Sequence, residues 1–477
     1  MRSGGTSPVG TGAAGSRWSS VVAGRRRGGR RPEQAAPEPV HLPEPDEREA
    51  YRVLDFALRA GEVLLSGGVG AADVTATLVL LARACGLDRV VCEVTFTSIT
   101  LTYVRASDVA PVTSVRLVQV RAPDHTRVTE VDNLVTDLVQ QRVTPEQAMT
   151  RLEEIRRARH PYRRWAVTAS RAALAAAIAV LLGGGALVTV AAFATTVVVD
   201  RIAGALGARG LPDFYANLLG AAFATTVAMG LIAAELDVRP SLVVASGIVL
   251  LLPGITLVGS VQDAISGFLL TASARAFEVF VLAAGIVAGV AGVLSVADRL
   301  GVSLAVNQPP ETGLADLPAQ FLAAGVAAAA AAAGNYAPRR TIPAAAVAGA
   351  LGWGAFRGLD HLDLNPALST GVAAVVLGLG AYVFAHRQRV PPIVLVAAGI
   401  IPLLPGLTIY RGMLFLASGD TGTGFLLLSQ ATSIGLALAA GVILGSFLAQ
   451  PARRELQRVE RRIGGPRMVG ALRRRKA

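Results

Sequence analysis

From residue 166 to residue 449 the chain is a succession of long apolar runs separated by short polar breaks. Ten runs can be distinguished, at about 166–184, 186–206, 213–235, 240–258, 270–297, 319–336, 341–357, 366–386, 391–410 and 424–449. About 20 apolar residues are what a helix needs to cross the hydrocarbon core. The pattern therefore predicts ten transmembrane helices. Residues 47–160, ahead of them, alternate on shorter periods. Val53, Leu54, Ala57, Leu58, Leu64 and Leu65 fall on one helical face, and Ser66-Gly67-Gly68-Val69-Gly70 ends the helix they define. A second helix is expected over about 71–85, then three strands over 89–95, 97–104 and 113–120, which are dense in Val, Ile and Thr. Two helices close this segment, one over 128–141 and one opening at Thr144-Pro145, where a hydroxyl N-cap precedes a proline at the first helical position. The expected fold is a membrane all-α protein preceded by a small α+β domain. Residues 1–46, rich in Gly, Arg, Pro and Ser without apolar periodicity, are expected to form a disordered leader. Residues 299–318 are expected to be a linker between two membrane halves, and 450–477 a basic tail.

The halves, 161–298 and 319–449, repeat one another. Residues 245–256 and 397–408 both read Ala, Gly, an Ile/Leu run, Pro-Gly and then Thr, and the register continues without a gap. Pro240 falls on Pro392, Ser266-Gly267 on Ser418-Gly419, Glu278 on Gln430 and Ala288-Gly289-Val290 on Ala440-Gly441-Val442. Each half holds five apolar runs. An odd number turns the second copy upside down relative to the first, so the halves are expected to be inverted repeats. Pro-Gly removes a helix hydrogen bond and loosens the backbone, and broken helices at matching places in two halves point to a transporter binding site.

Composition agrees with a membrane protein: 52% of residues are hydrophobic and only 16% charged. The net charge of +12 comes from Arg clusters that flank apolar runs, and aromatics amount to 5%, so nucleic-acid binding is not expected. With the α+β domain in the cytoplasm, the inner loops carry Arg201, Arg209, Arg275, Arg339, Arg340, Arg387 and Arg389, against Arg239, Arg299, Arg357 and Arg411 outside. That excess places both termini in the cytoplasm and the protein in the cytoplasmic membrane. Cys85 and Cys92 have no metal or redox spacing and read as reduced structural thiols. His125, His160, His361 and His386 are scattered. No catalytic residue, metal or cofactor is expected, and nothing excludes a homo-oligomer.

Substrate-binding candidates are Pro253, Gly254 and Thr256 at the first break and Pro405, Gly406 and Thr408 at the second. Unwound backbone and hydroxyls there can meet a zwitterion, while packing kinks without substrate contact are the alternative. Arg411, after the second break, can attract a carboxylate or snorkel to the interface. Glu278 lies within the fifth apolar run, where an ionisable group is costly, and can carry a coupling proton or form an ion pair with Arg275 one turn away. Asp263 can gate the pathway, move a proton or cap a loop. Asp213, Asn217 and Asp420 read as helix caps.

These residues resemble a known family. Residues 47–448 are similar to the bacterial threonine/serine exporters at Leu64-Leu65-Ser66-Gly67-Gly68, Asp73-Val74, Ala84-Cys85-Gly86-Leu87 and Thr97-Ser98-Ile99-Thr100-Leu101. The likeness continues at Pro253-Gly254 with Asp263, at Pro402 through Gly412, and at Gly419-Asp420. The resemblance implies export of L-threonine and L-serine driven by the proton motive force, with protons and the lipid bilayer as partners. Export of small dicarboxylates such as succinate, an uncoupled channel, and an enzyme anchored in the membrane are the competing readings.

Overall fold

The computed structural model describes residues 46–105, 109–119, 123–236, 238–299, 316–362 and 364–463, with burial described as far as residue 449. The leader, most of the linker and the end of the tail lie outside the described residues.

The α+β domain forms as the pattern predicts. Helix α1 (Glu47–Ser66) is capped by the Asp46 carboxylate and buries Leu54, Leu58 and Leu65. Helix α2 (Ala71–Ala84) brings Leu78 and Leu81 into the same core. Strands β1 (Val90–Val94), β2 (Ser98–Tyr103) and β3 (Val112–Leu117) form an antiparallel sheet in the order β1-β2-β3. The period of two in β2 turns Ile99, Leu101 and Tyr103 inward onto the helices. Helix α3 (His125–Val139) starts three residues before its apolar periodicity, because the Asp124 carboxylate accepts the Arg127 N–H at 3.0 Å. Helix α4 (Pro145–Arg157) opens with the expected Thr144 cap, completed to a capping box by Gln147. Cys85 and Cys92 are free and half-buried, and burial pushes both thiols up to about 11, which keeps them protonated and unreactive.

The membrane part comprises α5 (Arg164–Leu181), α6 (Ala186–Ala208), α7 (Asp213–Ala233), α8 (Pro240–Gly247), α9 (Gly254–Ile265) and α10 (Leu269–Arg299). After the linker come α11 (Leu317–Gly334), α12 (Ile342–Asp360), α13 (Pro366–Gln388), α14 (Pro392–Gly399), α15 (Gly406–Ala417) and α16 (Thr421–Ile463). Among the described residues, seven helices are long and apolar enough to cross a bilayer, or eight if α14 and α15, bent by 53°, make one crossing. The protein is a multi-pass membrane protein. Helices α8 and α14 begin and end 152 residues apart, as do α9 and α15. Packing repeats as well: α7 lies against α10 and α13 against α16, in both cases with glycines allowing backbones to close up, Gly289 over the Leu218 carbonyl and Gly441 over the Gly371 carbonyl.

Candidate functional site

Both breaks have one geometry. Pro253 has no N–H to continue α8, so the chain leaves the helix over residues 248–253 and Pro253 becomes the N-cap of α9 at φ −78° and ψ 43°. Pro405 does the same for α15 at φ −77° and ψ 48°, after a short 3₁₀ turn over Ile401–Leu403. The two breaks lie against each other reciprocally. A Cβ on Gly254 would stand 2.9 Å from the Leu404 side chain, and one on Gly406 would stand 3.3 Å from Leu252, the residue equivalent to Leu404. The same exchange occurs further along. Val258 and Val261 of α9 pack into the core of the second half, and their counterparts Tyr410 and Met413 of α15 pack into the core of the first. A contact in which i meets j and j meets i is what a two-fold relation produces.

Beside the breaks lies a cavity of about 600 Å³ lined by residues of both halves. That volume suits a small molecule. Leu251, Pro253, Gly254, Ile255 and Thr256 form one wall, and Ile401, Pro402, Leu404 and Gly406 another. Charge enters from the first half. Arg171 of α5 and Asp200 of α6 are paired at 2.6 Å, the Thr168 hydroxyl donates to the other Asp200 oxygen at 2.6 Å, and Arg171, Asp200, Asp213 and Glu278 all line the cavity. The Asn217 amide donates to the Leu251 carbonyl at 3.3 Å and the Leu282 carbonyl at 3.2 Å, which ties the unwound stretch to α10 and supplies a partner to a carbonyl the helix no longer serves. His125 reaches the same cavity from the α+β domain, with Gly67 and Gly68 of the turn after α1. Burial lowers the His125 imidazole to about 4, so it is neutral near pH 7, and its Nδ1 has no protein partner.

The structure separates the candidates. Pro253, Gly254, Thr256, Gly406 and Glu278 line the cavity; Pro405, Thr408, Arg411 and Asp263 are not among its lining residues. Asp263 is buried elsewhere, in an ion pair with Arg275 at 3.0 Å, both side chains nearly inaccessible. Arg275 lies over Gly259, whose missing side chain leaves room for the guanidinium next to Asp263. Asp263 also accepts the Ala71 N–H at 3.0 Å. It thereby caps the start of α2, whose N-cap Gly70 has no side chain to do so. Of the expected caps, Asp420 accepts the Thr423 N–H at 3.1 Å as foreseen, while Asn217 works as a tie across helices. Arg171 and Asp200 were legible by the rule that singled out Glu278, since both are ionisable residues inside apolar runs. His125 was not legible, because no local pattern carries a domain–membrane contact. Among the described residues no group of His, Cys, Asp and Glu could hold a metal.

Comparison with known proteins agrees with this architecture. The family described as "Putative threonine/serine exporter" matches residues 55–297, and that described as "Threonine/Serine exporter, ThrE" matches residues 320–448. A probable threonine/serine exporter of Mycobacterium tuberculosis is 37% identical over 417 residues, covering 86% of this chain and 78% of that protein. A threonine/serine exporter of Corynebacterium glutamicum is 34% identical over 430 residues, covering 88% of both. No solved structure matches. The family is one of transporters and not of enzymes, and with both halves and the α+β domain matched in order, the chain belongs to the threonine/serine exporter family.

Proposed function

We propose that the protein is a secondary active transporter that exports L-threonine and L-serine across the cytoplasmic membrane, with substrate held in the cavity beside the two breaks. The observation that carries this reading is the cavity itself. It brings the N-terminal end of α9, where unwinding frees backbone N–H groups, into one cavity with the carboxylates of Asp213 and Glu278. A positive helix end suits an α-carboxylate, and the acidic groups suit an ammonium. A dicarboxylate would meet Asp200, Asp213 and Glu278, with the nearest cation, Arg171, already paired. The names of the relatives point to the same substrates.

Topology supports ten crossings. The α+β domain touches the loops after α9, α11 and α13, through Asp263 to Ala71, Asn335 to His125 and Arg389 to Asn133. For those three loops to lie on the side where α5 begins, α8 with α9 must cross once and α12 must cross once, although neither is among the seven helices long and apolar enough on their own. Ten crossings make two halves of five in opposite orientation, and the reciprocal packing of the breaks fits that inversion. Both termini are then on the side of the domain, which the Arg distribution assigns to the cytoplasm. Alternating access follows from rocking one half on the other, and protonation of Glu278, the carboxylate at the cavity whose counterpart Gln430 cannot titrate, biases the two states. The test is efflux from cells preloaded with a threonine dipeptide. Export that collapses with an uncoupler and in Glu278→Gln supports the reading; threonine retained while succinate leaves would overturn its substrate, and uncoupler-insensitive flux would overturn its mechanism.

A further inference from the structure

The α+β domain is fastened to both membrane halves, at seams of different chemistry. Towards the first half, Asp263 caps α2 at 3.0 Å while paired with Arg275, and the Thr271 hydroxyl donates to the Val94 carbonyl at 3.1 Å. Phe268 packs against the domain's core, as Ile393 of the second half also does. The chain itself also runs from α4 into α5. Towards the second half the bonds are neutral and made to loop backbone. The His125 and Thr126 N–H groups donate to the Asn335 and Tyr336 carbonyls at 3.0 Å each, and the Thr126 hydroxyl also donates to Tyr336 at 2.6 Å. The Asn133 amide reaches the Arg389 carbonyl at 3.3 Å. His160 stacks on Tyr336 with centroids 4.4 Å apart. A charge-assisted bond next to a buried ion pair is stronger than neutral ones of this kind. Four residues of the domain, Gly67, Gly68, Pro123 and His125, form part of the cavity wall.

We infer that the α+β domain is the gate at its own face of the transport cavity: it travels with the first half and opens by parting from the second along the Asn335–Tyr336 and Arg389 loops. Two halves that rock cannot both keep a rigid body attached to them. The seam whose bonds to the domain include no ion pair is the one to release, and its release withdraws the wall containing His125 from the cavity. The domain is then a moving part of the pathway, present in every cycle, and not an accessory. This rests on the cavity being the transport route, as proposed above.

Paired cysteines test it in the full chain, with Cys85 and Cys92 replaced by Ser. One pair, Thr126→Cys with Tyr336→Cys, closes the second-half seam through a short thiol crosslinker cleavable by reductant. The other, Val94→Cys with Thr271→Cys, closes the first-half seam. Asn133→Cys with Arg389→Cys serves as an independent second-half pair should either residue of the first be needed for folding. Two readouts are taken in vesicles with the domain outward: threonine flux, and maleimide labelling of a cavity cysteine, Ala331→Cys. Crosslinking the second-half seam is expected to slow both at least tenfold, reversibly on reduction, and crosslinking the first-half seam to change neither by more than twofold. Flux and labelling untouched by the second-half crosslink would overturn the gate, and equal arrest by both crosslinks would overturn the assignment of the moving seam. Labelling does not use threonine. Reduced variants that fail to move threonine yet show gated labelling would therefore sink the substrate reading and leave the gate standing.

Discussion

The two membrane halves share a backbone and differ in chemistry. The breaks at Pro253 and Pro405 agree to within about 5° in both dihedrals, and their following helices begin and end in register. Of the two halves, however, only the first lends ionisable groups to the cavity lining, namely Arg171, Asp200, Asp213 and Glu278. At the position of Arg171 the second half has Ala323, at Asp200 it has Gly352, at Glu278 Gln430, at Asp263 Phe415 and at Arg275 Leu427. Asp213 lines the cavity, whereas its counterpart Asn365 caps α13 by accepting the Ala367 N–H at 2.9 Å. What the repeat duplicates is a helix break, a property of the backbone. The charge at the cavity is not duplicated, and each ion set among apolar helices is costly.

The largest effect that would sharpen this contrast lies at the buried ion pair. Arg275→Leu leaves the Asp263 carboxylate buried without its cation and is expected to destabilise the protein by about 3–5 kcal/mol, measured as a fall in the thermal or denaturant midpoint of the purified protein. Leu427→Ala, at the equivalent site, should cost about 1 kcal/mol. The double variant Asp263→Leu with Arg275→Leu should recover much of the loss, since no unpaired charge is left. Similar costs for Arg275→Leu and Leu427→Ala would mean that the asymmetry is not energetic.

Acid should act at the second-half seam. The His125 imidazole is neutral in the folded protein down to about pH 4, whereas in the unfolded chain it takes up a proton near pH 6.5. Between those values the unfolded state binds more protons, so stability falls as pH falls, by roughly 3 kcal/mol over the whole window, and the contribution is fully present above about pH 6.5. His125→Gln should flatten that part of the stability profile. An unchanged profile would show that the imidazole is hydrated.

At the cavity, Asp200→Asn and Glu278→Gln are each expected to lower threonine export about tenfold or more, since each removes a charge from the cavity lining worth at least about 1.4 kcal/mol. Gln430→Ala, at the equivalent position of the second half, should stay within twofold. Equal losses from Glu278→Gln and Gln430→Ala would break the division of labour between the halves. The smallest contrast is between the threonines. Thr256 lines the cavity and Thr408 does not. One hydrogen bond of about 1 kcal/mol makes Thr256→Val raise the KM for threonine about fivefold, with Thr408→Val near wild type.

Much of this molecule could be read along the chain. The α+β domain was legible because its signals are local: a Thr144-Pro145 cap, a Gly-rich turn after α1, Val- and Thr-rich strands with period two. The repeat and its two breaks were legible because proline removes an N–H wherever it stands, so Pro253 and Pro405 interrupt their helices whatever surrounds them. Ionisable residues in apolar runs, Glu278 and equally Arg171 and Asp200, declare themselves by their cost.

Partners were another matter. Glu278 lies three residues from Arg275 and Asp263 twelve, yet the guanidinium sits on Asp263, because the bare Gly259 lets it lie against α9. Thr256 and Thr408 occupy one place in one motif, yet only Thr256 faces the cavity, because the surroundings of the two breaks differ. Local sequence determined each helix, each break and each charge, since backbone hydrogen bonding and desolvation act within a few residues. Which charges meet, which threonine the cavity exposes, and that His125 of the α+β domain belongs to its wall were decided by contacts between segments tens to hundreds of residues apart, and those exist only once the helices have packed.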